Sequence, residues 1–196
     1  MRRGRRAGFT LIEAAIAIAL LALVVVKVGM LVKMRTDTAA HENTALVVDD
    51  QARRVLEQIS YAVMGASRDR LIPDPESPIY SSELRYEVSL GVQNGEVVWG
   101  DAQWIGLDKT ADQVAWRERP DEPDERRVVW CKAVRPYLEG EQMNGVDDNG
   151  NGLIDEKGLV FTLTGSRVTV RLTLERKSET GEIVTRTVET MVTCRN

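Results

Sequence analysis

Three groups of side chains have types and spacings that could do chemistry. Glu13 is a lone carboxylate in the apolar stretch that runs from Phe9 to Val26. A charge in hydrocarbon is costly, so it needs a partner or a purpose. The segment from Asn144 to Glu156 is the second group. There Asp147, Asn149 and Asn151 can turn oxygens inward at alternate positions, and Gly152 permits a sharp turn. The Leu153 carbonyl, Asp155 and Glu156 can complete an all-oxygen shell, whose hardness suits Ca2+, with Ile154 anchoring the loop to a core. The same Asn, Asp and Gly residues also make ordinary turns, which is the alternative to a calcium loop over 147–156. Cys131 and Cys194, the only two cysteines, form the third group. In an oxidising compartment a disulfide between them is expected, with two buried free thiols as the alternative. No Cys-x-x-Cys motif supports metal or redox chemistry. His41 is the sole histidine, on a polar helical stretch with no Ser or Cys beside it. That count excludes a histidine-rich zinc site and leaves nucleophilic catalysis without a base. No catalytic residue is assigned, and an enzyme is the class with least support.

The N-terminus sets the context for Glu13. Arg2, Arg3, Arg5 and Arg6 form a basic head that ends at Gly8, and Phe9-Thr10-Leu11-Ile12-Glu13 then opens the apolar run. An ordinary secretory signal would close the run on small residues of the Ala-x-Ala kind. This run instead passes through Lys27, Gly29 and Lys33 into polar sequence. An ordinary single-pass anchor fits the length but leaves Glu13 unexplained. The basic head, glycine, Phe-Thr-Leu-Ile-Glu and apolar run resemble the class III signal of type IV prepilins and type II secretion pseudopilins. The resemblance implies cleavage between Gly8 and Phe9 by a membrane prepilin peptidase, with N-methylation of Phe9. It also implies that Glu13, at mature position five, pairs with the freed amine of a neighbouring subunit. The acidic residue argues for a subunit that adjoins others rather than one at the extreme tip.

The run must be a membrane helix. Phe9 to Val26 spans about 27 Å at helical rise, against a hydrocarbon thickness near 30 Å. Lys27 can then snorkel its amine into the head groups. Farther on, Val48, Ala52, Val55, Leu56, Ile59, Ala62 and Val63 recur at three- and four-residue spacing among charged neighbours. That is an amphipathic helix resting one stripe on a core. The expected organisation is a cleaved leader over 1–8 and a helix over 9–67 whose transmembrane part is 9–32. A Pro-rich connection over 68–83 and an exported β-rich domain over 84–196 follow. The leader arginines hold the N-terminus in the cytoplasm and send the rest outward. Their loss takes the net charge from −4 to −8, so direct nucleic-acid binding is not expected.

In the exported part, Leu84, Tyr86, Val88 and Leu90 alternate with polar residues, and Gln93-Asn94-Gly95-Glu96 is a hairpin signal leading into Val97-Val98-Trp99. Residues 113–116 and 127–131 read as a strand pair around a charged, solvated connection. Residues 159–164, 168–174 and 183–193 read as two further hairpins, with turns at Gly165-Ser166 and Ser178-Glu179-Thr180-Gly181. Trp99, Trp104, Trp116 and Trp130 lie in or beside these strands, where packing is the commoner fate than ligand stacking. The fold class is α+β, with a long N-terminal helix on an antiparallel sheet. The ending from Arg186 to Asn196 is similar to J-type minor pseudopilins and W-type minor pilins. Together these resemblances imply a minor pseudopilin of a type II secretion system. They place it in the inner membrane as a single-pass protein with a periplasmic domain, in contact with other minor and major pseudopilins or pilins. The alternatives are a minor type IV pilin of a surface fibre, and a membrane-anchored calcium-dependent binding protein that never polymerises.

Overall fold

The computed structural model describes residues 10–74, 79–108, 110 and 112–194. One helix, α1 (Leu11–Gly65), is unbroken for 55 residues. Gly29 does not interrupt it. In its polar middle, the hydroxyls of Thr36, Thr38 and Thr44 donate to carbonyls one turn back, at 2.8–2.9 Å. Ion pairs Asp49–Arg53 (2.7 Å) and Asp50–Arg54 (2.6 Å) line its outer face at helical spacing. The expected stripe is the buried one: Val48, Ala52, Val55, Leu56, Ile59 and Val63 are all buried, and Ala62 packs against them. Burying each of the larger of these side chains stabilises the fold by about 1.5–3 kcal/mol. Such burial fixes this half of α1 to the domain, whereas propensity alone holds the first half.

Among the described residues ten strands follow: β1 (Ile79–Ser81), β2 (Glu83–Tyr86), β3 (Ser89–Gln93), β4 (Glu96–Trp99), β5 (Gln103–Leu107), β6 (Gln113–Glu118), β7 (Arg126–Lys132), β8 (Leu159–Thr164), β9 (Arg167–Lys177) and β10 (Ile183–Thr193). They form antiparallel sheets in the orders β1-β8-β9-β10 and β2-β5-β6-β7, plus the separate hairpin β3-β4. The α+β architecture is therefore as expected, but the strands are divided among more than one sheet. Helix α1 lies over β9 and β10. Val168, Val170, Leu172 and Leu174 alternate onto one face of β9, and all four are buried. Period-two alternation on the sheet thus meets the helical stripe of α1.

Two local expectations are corrected. The run from Leu84 to Leu90 does not form one strand that returns through Asn94-Gly95. Leu84 and Tyr86 are buried on β2, paired with β5, whereas Leu90 and Val92 on β3 are exposed. The break falls at Val88, which bridges Ala66, and a register shift follows between Ser89 and Gly91. The turn itself is as expected, with φ of 55° at Asn94 and 85° at Gly95. The Pro-rich connection also contributes β1, paired to β8 through Tyr80↔Thr162, which alternation over three residues could not reveal. The charged connection between β6 and β7 is a solvated turn closed by Arg119–Asp124 and by Arg85–Asp121 at 2.9 Å.

Candidate functional site

Thr10 is the N-cap of α1, with extended backbone (φ −79°, ψ 152°). Its hydroxyl oxygen accepts the Glu13 N–H at 3.2 Å. Glu13 Oε2 in turn accepts the Thr10 N–H and hydroxyl, each at 2.9 Å. This is a capping box, and it fixes the carboxylate beside the positive end of the helix. Thr-x-x-Glu is a sequence signal for this box, so the Thr10–Glu13 contact is legible in the sequence, beside the intermolecular partner that the prepilin resemblance implies for Glu13. Gly8 and Phe9, the expected cleavage point, lie outside the described residues. Every large apolar side chain from Leu11 to Met34 that α1 carries is more than half exposed in the isolated chain. This part of α1 is long and apolar enough to cross a membrane once.

The second site is the long connection between β7 and β8. Its feet are held together by the Tyr137↔Lys157 bridge and by the Leu138 N–H donating to the Glu156 carbonyl at 3.0 Å. The side chains at 147, 149 and 151 turn inward at alternate positions. The Asp147 carboxylate accepts N–H bonds from Gly150, Asn151 and Gly152 at 2.6–3.1 Å. Asn149 Oδ1 accepts from Asn151 N–H (3.0 Å), and Asn151 Oδ1 from Leu153 N–H (2.8 Å). Gly152 has φ of 88°, which meets the expected need for a sharp turn.

The other expected ligands separate. Asp155 accepts the N–H groups of Asn144 and Gly145 at 3.0–3.1 Å on the exposed side of the loop. Ile154 is 46% exposed, so it does not anchor the loop as expected; its carbonyl instead accepts the Tyr80 hydroxyl at 2.7 Å. Glu156 is fully buried, and its Oε2 accepts from the amides of Asn151 (2.6 Å) and Asn149 (3.3 Å). Glu141 is 1% exposed, and its Oε1 accepts the Asn149 N–H at 3.1 Å. Sequence reasoning missed Glu141, because a glutamate in the polar string Glu139-Gly140-Glu141-Gln142 carries no local sign of burial. Among the described residues, no three His, Cys, Asp or Glu side chains are placed to hold a metal. Any cation here would need amide or backbone oxygens beside the two carboxylates.

Cys131 and Cys194 are separate, buried free thiols, so the expected disulfide is not formed in the structure. Each fills a small apolar position in the common core: Cys131 on β7 opposite Val114, and Cys194 just past β10 with its N–H bonded to the Ser166 carbonyl at 2.8 Å. Burial pushes the Cys131 thiol up to about 11 and raises that of Cys194 as well. Both are therefore neutral and poorly nucleophilic near pH 7. His41 Nδ1 lies 3.1 Å from Glu182 Oε2, where the β9–β10 turn touches α1. That contact is a tie between elements and offers no nucleophile to activate.

The tryptophans pack rather than present open faces. Trp104 is buried and donates to Glu83 Oε2 at 2.9 Å, with the Arg117 guanidinium over its ring at 4.4 Å. Trp116 donates to Tyr86 Oη (3.2 Å) and Gln103 Oε1 (3.1 Å).

Compared with known families, residues 3–26 match the prokaryotic N-terminal methylation motif. The match spans the basic head, Gly8, Phe9, Glu13 and the apolar run. No curated protein and no solved structure matches the chain.

Proposed function

Taking as premise a type IV pilin-like prepilin signal at the head of a long apolar helix, we propose that this protein is a minor pseudopilin, an assembly subunit of a type II secretion pseudopilus. The observation that carries the proposal is the division of α1. Its second half is docked on β9 and β10, while the apolar side chains of its first half are exposed and, among the described residues, have no packing partner. A helix that is apolar all round needs lipid or other helices on every side. In the membrane lipid serves; after extraction into a filament, the helices of neighbouring subunits must. The prepilin peptidase cuts after Gly8, and the new amine at Phe9 carries a positive charge. Glu13 of an adjoining subunit then meets that amine in the filament core. A low-dielectric surround makes the pair exacting about axial register, since one charge left without the other is strongly destabilising. The capping box holds the Glu13 carboxylate at the start of α1. The protein works by packing and is not an enzyme.

The test begins with intact-mass analysis of the natively expressed protein, which is expected to begin at a methylated Phe9. Gly8→Ala should accumulate uncut precursor. Glu13→Ala should be processed normally yet fail to enter the filament. Deletion should stop export of secreted enzymes and leave surface fibres unchanged. Loss of fibres with export intact would assign the protein to a surface pilus instead. A native protein still carrying its arginine-rich head, without dependence on the prepilin peptidase, would overturn the proposal.

A further inference from the structure

We infer that Glu141 and Glu156, together with the amide oxygens of Asn149 and Asn151, hold a divalent cation of calcium type that clasps the 141–156 loop shut. The inference rests on two buried carboxylates whose oxygens are only half satisfied. Glu141 Oε2 and Glu156 Oε1 have no hydrogen-bond partner, although their residues are 1% and 0% exposed. Buried polar atoms are nearly always bonded, so two orphaned oxygens in one loop need an explanation. Both carboxylates meet at Asn149, Glu141 on its backbone N–H and Glu156 on its side-chain amide.

Charge within the protein does not account for them. The Arg171 guanidinium stands 3.7 Å from Glu156 Oε1, but its Nε is engaged by Glu189 at 2.5 Å. Among the described residues Glu141 has no basic partner. A hard cation is the partner that suits a free carboxylate oxygen. Asn149 Oδ1 and Asn151 Oδ1 are each held by one N–H, and each keeps a second lone pair. Calcium tolerates such an irregular set of six to eight oxygens, whereas magnesium demands a near-ideal octahedron. Glu141 lies before the loop and Glu156 at its end, so the ion would join the two ends across a glycine-rich stretch that has little other packing. The inference does not depend on filament assembly.

The experiment uses the full chain in detergent, stripped with chelator and titrated with Ca2+ by calorimetry. One ion per chain is expected, with affinity no weaker than the roughly 10⁻⁴–10⁻³ M of extracellular modules. On that scale, 5 mM Ca2+ should raise the folded-to-unfolded ratio about 6- to 50-fold, and Mg2+ much less. Glu141→Gln and Glu156→Gln should each weaken binding at least about 10-fold, while Asp121→Asn, in the separate charged turn, should bind as the unaltered protein does. Terbium luminescence on the unaltered chain, displaced by Ca2+, serves if a variant does not fold. Absence of uptake at 5 mM, or unchanged affinity in both glutamine variants, would overturn the inference and leave ordered water as the partner of the two oxygens.

Discussion

Replacing Gly158 with alanine should be among the most damaging single changes in the domain. Gly158 joins the 141–156 loop to β8, and its conformation is not what requires glycine. Space is. A Cβ there would overlap the carbonyl oxygen of Arg135 and lie 2.9 Å from both its carbonyl carbon and Val134 Cγ1. The obstacle is backbone, so no rotamer change relieves it. Nor can the backbone yield freely: Gly158 N–H donates to Pro136 O (3.2 Å), Thr173 N–H to Gly158 O (2.7 Å) and Arg135 N–H to Thr173 O (3.0 Å). Parting the strands far enough would break at least two of these bonds. Overpacking costs about 1–3 kcal/mol, and each lost bond about 1 kcal/mol more. The expected loss is therefore about 3–5 kcal/mol. In a chain of this size that lowers the unfolding midpoint by roughly 6–20 °C. All four tryptophans lie in the β-rich domain that follows α1, so urea unfolding of the full chain in detergent, followed by their fluorescence, reads it directly. Gly65→Ala is the control, because its Cβ would meet Val88 only at 3.7 Å, an ordinary contact. That variant should stay within about 1 kcal/mol of the parent. A Gly158→Ala protein equally close to the parent would refute the steric reasoning.

Two further outcomes follow from the core. Ile59→Ala, at a fully buried position on the docked face of α1, should cost about 2–5 kcal/mol by the same assay, whereas Tyr61→Ala on the exposed face of the helix should cost less than about 0.5 kcal/mol. Denatured protein should release two titratable thiols per chain, since both cysteines are free, and the native protein should react slowly with thiol reagents. Burial raises Cys131 from its ordinary 9.0 to about 11, so the folded state holds that proton more tightly than the unfolded chain does. The resulting stability is fully present below about pH 9 and is lost as pH rises towards 11, by up to about 2–3 kcal/mol. Comparing the alkaline unfolding of the parent with that of Cys131→Ala isolates this contribution, and parallel curves for the two would contradict it.

What the sequence determined by itself is local or periodic. The basic head, Gly8 and Glu13 in order mark the N-terminal methylation motif, because that signal is contained in a short contiguous stretch. The stripe from Val48 to Val63 identified the docked face of α1, since helical spacing alone selects it. Asn94-Gly95 and the alternation on β9 did the same for the hairpins. Tertiary structure decided everything that depends on what passes nearby from elsewhere in the chain. Alternation made Leu84 and Leu90 look equivalent, yet only Leu84 is covered, because the strand breaks at Val88 and its two halves join different sheets. The calcium-loop pattern placed Asp155 in the shell and Ile154 in the core, and the structure gives both other contacts. At position 158 only glycine fits, because the Arg135 carbonyl crosses there. Glu141 shows the limit most clearly. Its charge suggests solvent, and only the folding of 149–156 back over it makes it one of two buried acids sharing Asn149. For an isolated polar residue outside any periodic pattern, burial is set by what the rest of the chain brings over it, and its immediate neighbours do not encode it.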